Sequence, residues 1–391
     1  MNPDAAPKRL RIAVLNRIFR PTGGGAERYS IALVEQLAAQ HDIHVFAQQI
    51  DHQWPNVTYH LIPWPFDKPR WINQLWFAFA TWWQTRRGFD VVHSHENTWH
   101  GQVQTVHVVP VRYSLLHGRH GPRWALRWLK IVTSPRLLAY LALEWGRYRV
   151  ADGRCITLVS CSQLPVMAES FPQAVPACQV VSPGVVTVPG LADAAQRRAA
   201  RAQLGLPAQG RCILLVGNDF RKKGLPALLQ ALPQMPADVY LAVVGNAAQQ
   251  SLVQVELQAS GQAHRVFFLG AMTAVDVAYR AANCLAHPTL EDSFAMVVLE
   301  AMSHGLPVVV SSAAYCGIAA ELHDGQEALL LPDPRDTQAL AQRLARVLQD
   351  VNLAEHLRAN GLAFARRHLW SEIALQQEAV YQRLAAVYQP L

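Results

Sequence analysis

Along this chain, short runs of consecutive apolar residues alternate with longer segments whose apolar positions recur at helical spacing. In the first half the runs fall at residues 11–16, 43–48, 57–63, 90–95, 104–109 and 155–162. In the second half they fall at 211–218, 239–246, 265–270, 283–288, 306–312 and 327–332. Runs such as RIAVLN, VYLAVVGN and LPVVVSS are apolar almost throughout and do not alternate with polar residues. That predicts strands buried on both faces, hence parallel sheets covered by helices. The alternation occurs twice over, so the pattern predicts the α/β class with two doubly wound domains. The proline-rich stretch 171–190 marks the break between them, and a polar helix over 194–204 opens the second. A long helix over 371–387 closes the chain. The expected division is 1–182, 183–370 and a terminal segment 371–391.

Composition supports this reading and narrows it. The 391 residues exceed one ordinary core, and 51% apolar with 16% charged residues excludes disorder. No run reaches the roughly 18 uninterrupted apolar residues of a membrane-crossing helix. The apolar run near the N-terminus is too short for a secretion signal, so a cytoplasmic location is expected. The six cysteines form no C-x-x-C pair and read as reduced thiols. Sixteen scattered histidines without H-E-x-x-H give no metal-binding motif.

The net charge of +7 is unevenly spread. Between Asp67 and Arg154 there are thirteen Lys or Arg against five Asp or Glu, and ten of the eleven tryptophans precede residue 146. Residues 68–88 and 112–149 interleave Arg with Trp, Leu and Tyr. This combination suits the headgroup boundary of an anionic leaflet, although helix packing within the first domain uses the same residues.

Ligands of open α/β sheets bind beyond the carboxyl ends of the strands, so motifs at those ends carry the most weight. RPTGGGAERYS, 20–30, follows the first strand. Its Gly24 and Gly25 permit close backbone approach to a ligand at a helix N-terminus, or they form only a flexible turn. It matches neither G-x-G-x-x-G nor G-x-x-x-x-G-K-[ST]. VGNDFRKKG, 216–224, sets Gly217, Arg221, Lys222 and Lys223 at a strand-to-helix turn. Such cations suit a diphosphate, or they are a solvated loop.

HPTLEDSFAMVVLEAMSHG, 287–305, ends a strand, turns, and enters a helix expected to begin near Phe294. The first N–H groups, of Ala295, Met296 and Val297, lack intrahelical acceptors. Glu300 interrupts an otherwise apolar helix and must be paired, hydrated or bound to a ligand. A salt bridge to an arginine is the plain alternative. Finally, four histidines and Glu96 crowd residues 89–109, where His107 sits at the end of a strand.

In this order the four motifs resemble the retaining glycosyltransferases of family four, over nearly the whole chain. The resemblance implies the GT-B fold: two Rossmann-like domains facing a cleft, with the last helix crossing back to the first. It implies a nucleotide-diphosphate sugar donor, a UDP-sugar, on the second domain and an acceptor on the first. The family hallmark is two glutamates separated by seven residues, and counting back from Glu300 the matching position is Asp292, not Glu291. By resemblance, Glu300 binds the donor ribose, Asp292 approaches the sugar, and the amides of Ala295 to Val297 hold the diphosphate. Lys223, helped by Arg221, neutralises the leaving group. Gly24, Gly25 and Gly217 lie near the phosphates, and His107 lies near the transferred sugar.

The sequence departs from the family pattern in three places that bear on the site. Asp292 stands for the usual Glu, Ala295 for a common Gly, and Asn218 for a frequent Arg. The branch most resembled acts on lipopolysaccharide core, which implies a lipid-linked saccharide acceptor. The basic aromatic region 68–149 predicts peripheral binding to the anionic inner membrane. Neither a metal nor any other cofactor is expected, since no D-x-D stands at a strand end. Nucleic acid is set aside as a partner because the motifs concern sugar nucleotides. A non-catalytic sugar-nucleotide-binding relative and a nucleotide-sugar epimerase are the alternative readings.

Overall fold

The computed structural model describes residues 9–21, 24–64 and 68–387. The chain divides into two compact units, Met1–Pro183 with Trp370–Leu391, and Gly184–Leu369.

The first unit holds a seven-stranded sheet. Its spatial order is Val57–Leu61, Asp42–Ala47, Arg11–Leu15, Val91–Ser94, Val103–Val106, Cys155–Leu158 and Cys178–Val180. Every pairing in it is parallel. The central strands are buried on both faces, as continuous apolar runs require. The proline-rich stretch expected to be a plain break supplies the edge strand Cys178–Val180. Three residues flanked by proline-containing turns leave too little pattern to read as a strand.

The second unit holds a six-stranded parallel sheet. Its order is Val266–Gly270, Val239–Val244, Arg211–Val216, Cys284–His287, Val308–Ser311 and Leu329–Leu331. By position along the chain this is 3-2-1-4-5-6, the Rossmann order. Its core packs Ile213, Leu215, Leu241 and Val243 of the sheet against Leu225, Leu229 and Leu344 of the helices. Two doubly wound parallel α/β units are therefore present, as the apolar runs predict.

The strand order reverses between Arg11–Leu15 and Val91–Ser94 in one sheet, and between Arg211–Val216 and Cys284–His287 in the other. A loop leaving one strand there departs to one side and its neighbour's to the other, which opens a crevice. The four motifs fall at or beside these two points.

Candidate active site

In the unit Gly184–Leu369, two loops are stitched together at the reversal point. Arg211–Val216 ends at Gly217, and the turn reaches Gly224, which caps the helix Leu225–Ala231. Gly224 has φ of 83°, and a Cβ there would lie 2.0 Å from the Pro288 carbonyl oxygen, so only glycine fits. The Lys222 carbonyl accepts from Leu290 N at 2.8 Å and from Thr289 Oγ1 at 3.1 Å. Gly217 leaves space for the Lys223 stem, because a Cβ there would sit 2.6 Å from Lys223 Cγ.

This stitching aims Lys223 at Asp292. Lys223 Nζ donates to Asp292 Oδ2 at 2.5 Å, and buried His287 Nε2 lies 3.1 Å from the same oxygen. Asp292 Oδ1 accepts from Ala295 N at 3.0 Å. Burial alone would raise the Asp292 carboxyl, but the His287 hydrogen bond and the Lys223 charge outweigh it and hold the carboxyl well below its usual range. Burial lowers His287 more than Asp292 raises it, so this imidazole is neutral and donates through Nε2.

The helix starts later than the sequence suggests. It spans Met296–Ser303, with Ala295 as its N-cap at φ of 75°. The Asp292 side chain draws the chain into a tight turn, and a non-glycine residue takes the left-handed conformation at a cost of about 1–2 kcal/mol. The Ala295 amide is thereby occupied by the Asp292 side chain.

Glu300 is held by a phenol. Tyr279 Oη donates to Glu300 Oε2 at 2.7 Å, and the buried Tyr279 ring stacks on His304 with centroids 5.0 Å apart. Arg221 does not join Lys223. Its guanidinium pairs with Glu256 at 2.6 Å and donates to the Leu252 carbonyl at 2.6 Å. Glu291 pairs with Lys222 at 3.2 Å on the surface. A cavity of about 640 Å³ adjoins these loops, lined by Asp219, Arg221, Lys222 and Glu291 among others.

The other unit gathers its histidines at its own reversal point. Val103–Val106 ends just before His107, whose Nε2 lies 2.9 Å from His95 Nδ1. The Tyr29 ring meets His107 edge-on at 5.1 Å and Trp370 at 5.2 Å. His93 bonds Tyr381 Oη at 2.5 Å and Thr105 Oγ1 at 2.6 Å. Burial lowers His93 and His107 well below the usual imidazole value, with His95 and Arg147 adding to the effect, and lowers His95 to about 3. All three are neutral. Gly24 caps the helix Gly25–Leu37, which begins beside them and carries Tyr29.

Sequence spacing singled out neither Tyr279 nor the His287 link to Asp292, nor Tyr381 and Trp370 beside the histidines. Glu300 on an apolar helix was the one signal that pointed to a buried partner such as Tyr279. Among the described residues, no group of three or more His, Cys, Asp or Glu side chains is arranged to hold a metal ion, and all six cysteines are free.

Two doubly wound parallel units with these strand-end turns make up the GT-B fold. The family model Glycosyltransferase Family 4 matches residues 23–187, and the model Glycosyl transferases group 1 matches residues 196–364. Between them the two cover most of the chain, which belongs to this glycosyltransferase family. A D-inositol 3-phosphate glycosyltransferase of Xylanimonas cellulosilytica is 35% identical over 212 residues, covering 52% of this chain and 50% of the relative. A phosphatidyl-myo-inositol mannosyltransferase of Mycobacterium tuberculosis is 35% identical over 213 residues, covering 51% of this chain and 54% of the relative. The chain thus spans about half the length of the curated relatives it matches.

Among solved structures, WaaG, a glycosyltransferase involved in lipopolysaccharide biosynthesis, superposes with a TM-score of 0.80 at 20% identity, covering 95% of this chain and 99% of WaaG. HepE of Anabaena, in complex with UDP-glucose, gives 0.72 at 19%, covering 97% and 100%. At these identities the likeness shows the fold.

Proposed function

We propose that this protein is a retaining glycosyltransferase that moves a sugar from a nucleotide-diphosphate donor, a UDP-sugar, to a lipid-linked envelope glycan such as lipopolysaccharide core. The observation that carries the reading is the Lys223–Asp292–His287 cluster at the reversal point of the second sheet. Glu300, fixed by Tyr279, stands about one turn along the helix that starts there.

In this reaction the bond from the anomeric carbon to the donor diphosphate breaks. The acceptor hydroxyl oxygen bonds to that carbon on the same face, and its proton passes to the departing diphosphate. Negative charge grows on the leaving group, and groups fixed in advance stabilise it most. Lys223 has three N–H donors and gives one to Asp292, so the others serve phosphate oxygens beside the Met296 and Val297 amides. Asp292 positions Lys223 and faces the sugar. Glu300 accepts from the ribose hydroxyls.

His107, neutral and backed by His95, offers a hydrogen bond to the transferred sugar. Gly24 and Gly25 let the backbone approach the phosphates. Arg221, paired with Glu256, stands at the rim of the second unit's cavity. The basic aromatic region 68–149 supports contact with an anionic membrane surface, on the cytoplasmic face in this reading. No helix among the described residues is long and apolar enough to cross a membrane.

The test is release of free UDP from a panel of UDP-sugars supplied with extracted envelope glycolipid. Acceptor-dependent release is expected. A donor epimerised without any acceptor would replace this reading with the epimerase alternative, and donor binding without release would replace it with the non-catalytic one.

A further inference from the structure

The first unit carries an apolar groove that the transfer reaction does not use. It lies between the helices Arg70–Thr85 and Pro135–Arg147, has a volume of about 640 Å³, and is walled by Leu75, Trp99, Ala142, Leu143 and Trp145. Its floor is fixed. Gln74 Nε2 donates to the Asn97 carbonyl at 3.0 Å, and Arg154 donates to the carbonyls of Trp99 at 2.7 Å and Gly146 at 2.9 Å. Gly146 is required there, because a Cβ would lie 2.5 Å from Trp99 Cβ. Trp145 remains 66% exposed, an unusual setting for so large an apolar surface.

The charged residues that line the groove are Arg149 and Arg154, both cations. Arg149 lines it and is exposed. Residues 97–143 contain no Asp or Glu, while Arg123, Arg127 and Lys130 stand on the neighbouring helix Gly121–Val132. Trp124, Leu126 and Leu129 of that helix are exposed as well. An apolar slot with cations at its edge fits a hydrocarbon chain that ends in an anionic group. The loop that supplies Trp99 also carries His95.

We infer that the groove between Arg70–Thr85 and Pro135–Arg147 holds a hydrocarbon chain of an anionic lipid, with Arg149 meeting its phosphate. The inference rests on the lipid-linked acceptor proposed above and names the part of the protein that grips the lipid. Its test is calorimetric titration of the full chain with decyl phosphate below its micelle threshold, beside decyl maltoside and inorganic phosphate.

One decyl phosphate should bind per chain. Ala142 is exposed, so Ala142→Trp fills the slot from outside the core and should lower affinity at least tenfold. Arg149→Gln should weaken decyl phosphate about tenfold and leave decyl maltoside unchanged. Equal binding by wild type and Ala142→Trp, or inorganic phosphate binding as tightly as decyl phosphate, would overturn the inference. The readout needs no sugar transfer. Intact decyl phosphate binding in a protein that transfers no sugar would sink the proposed reaction and leave the groove standing.

Discussion

Lys223 Nζ lies 2.5 Å from Asp292 Oδ2 across 69 positions of sequence, and His287 approaches the same oxygen from the strand below. One carboxylate oxygen thus orients the cation, while the other, through Ala295 N, shapes the turn into the helix. The shorter acid at position 292 suits this double role.

Lys223→Met removes the cation and keeps most of the stem. Turnover should fall about 10²–10³-fold, the usual effect of losing one preorganised group from a charge-developing site. Stability should fall by about 1–3 kcal/mol, because Asp292 keeps its burial and loses its counter-charge. Steady-state kinetics and denaturant melts check both. Unchanged turnover would remove Lys223 from the reaction.

Glu300→Ala should raise the donor KM strongly through lost ribose contacts. Tyr279→Phe keeps the carboxylate and removes the hydroxyl that orients it. It should raise donor KM by about three- to thirtyfold with little change in kcat, the range expected for one hydrogen bond. An equal loss in kcat for Tyr279→Phe would mean that the phenol supports the fold of the site rather than Glu300 alone.

Ala295→Gly should relieve the left-handed backbone at φ of 75°. The gain of about 1–2 kcal/mol is partly offset by the greater freedom of glycine in the unfolded chain, leaving about 0.5–1 kcal/mol. Thermal melting should rise by a few degrees with kinetics preserved. A lower melting temperature would show that the turn carries no strain.

Stability should fall on mild acidification. Burial is the main cause that lowers His95 and His100 to about 3, with the charge of Arg147 or Arg154 adding to it. His93 and His107 move in the same direction. An unfolded histidine titrates near 6.5, so between about 6.5 and 3 the unfolded chain binds protons that the folded chain refuses. Stability therefore rises with pH through that window and is lost on the way down, by at most about 1.4 kcal/mol per pH unit for each such histidine. Melting temperatures should drop from pH 7 to 5. A flat profile down to pH 5 would contradict the neutral cluster.

The fold was legible because parallel strands buried on both faces write themselves as continuous apolar runs, in LLV of 214–216 as in VVV of 308–310. The place of Asp292 and Glu300 in one turn and helix was legible only through their match to the family hallmark. Arg221 was not, because its pairing with Glu256 depends on how a distant helix packs beside the turn. Tyr279 was hidden for the same reason, as was Tyr381, which reaches His93 from 288 positions away. Ala295 shows a further limit: a left-handed residue without glycine leaves no mark in the sequence, and only the family's usual glycine pointed to it.

The stereochemistry of the product tests the central claim most directly. The accepted UDP-sugar and a purified glycolipid acceptor should be incubated with the enzyme, and the new linkage read by the anomeric coupling in proton NMR. One new glycosidic bond with the anomeric configuration of the donor is expected, formed by wild type and lost in Glu300→Ala at donor concentrations that saturate wild type. An inverted linkage, or full activity in Glu300→Ala under those conditions, would contradict it.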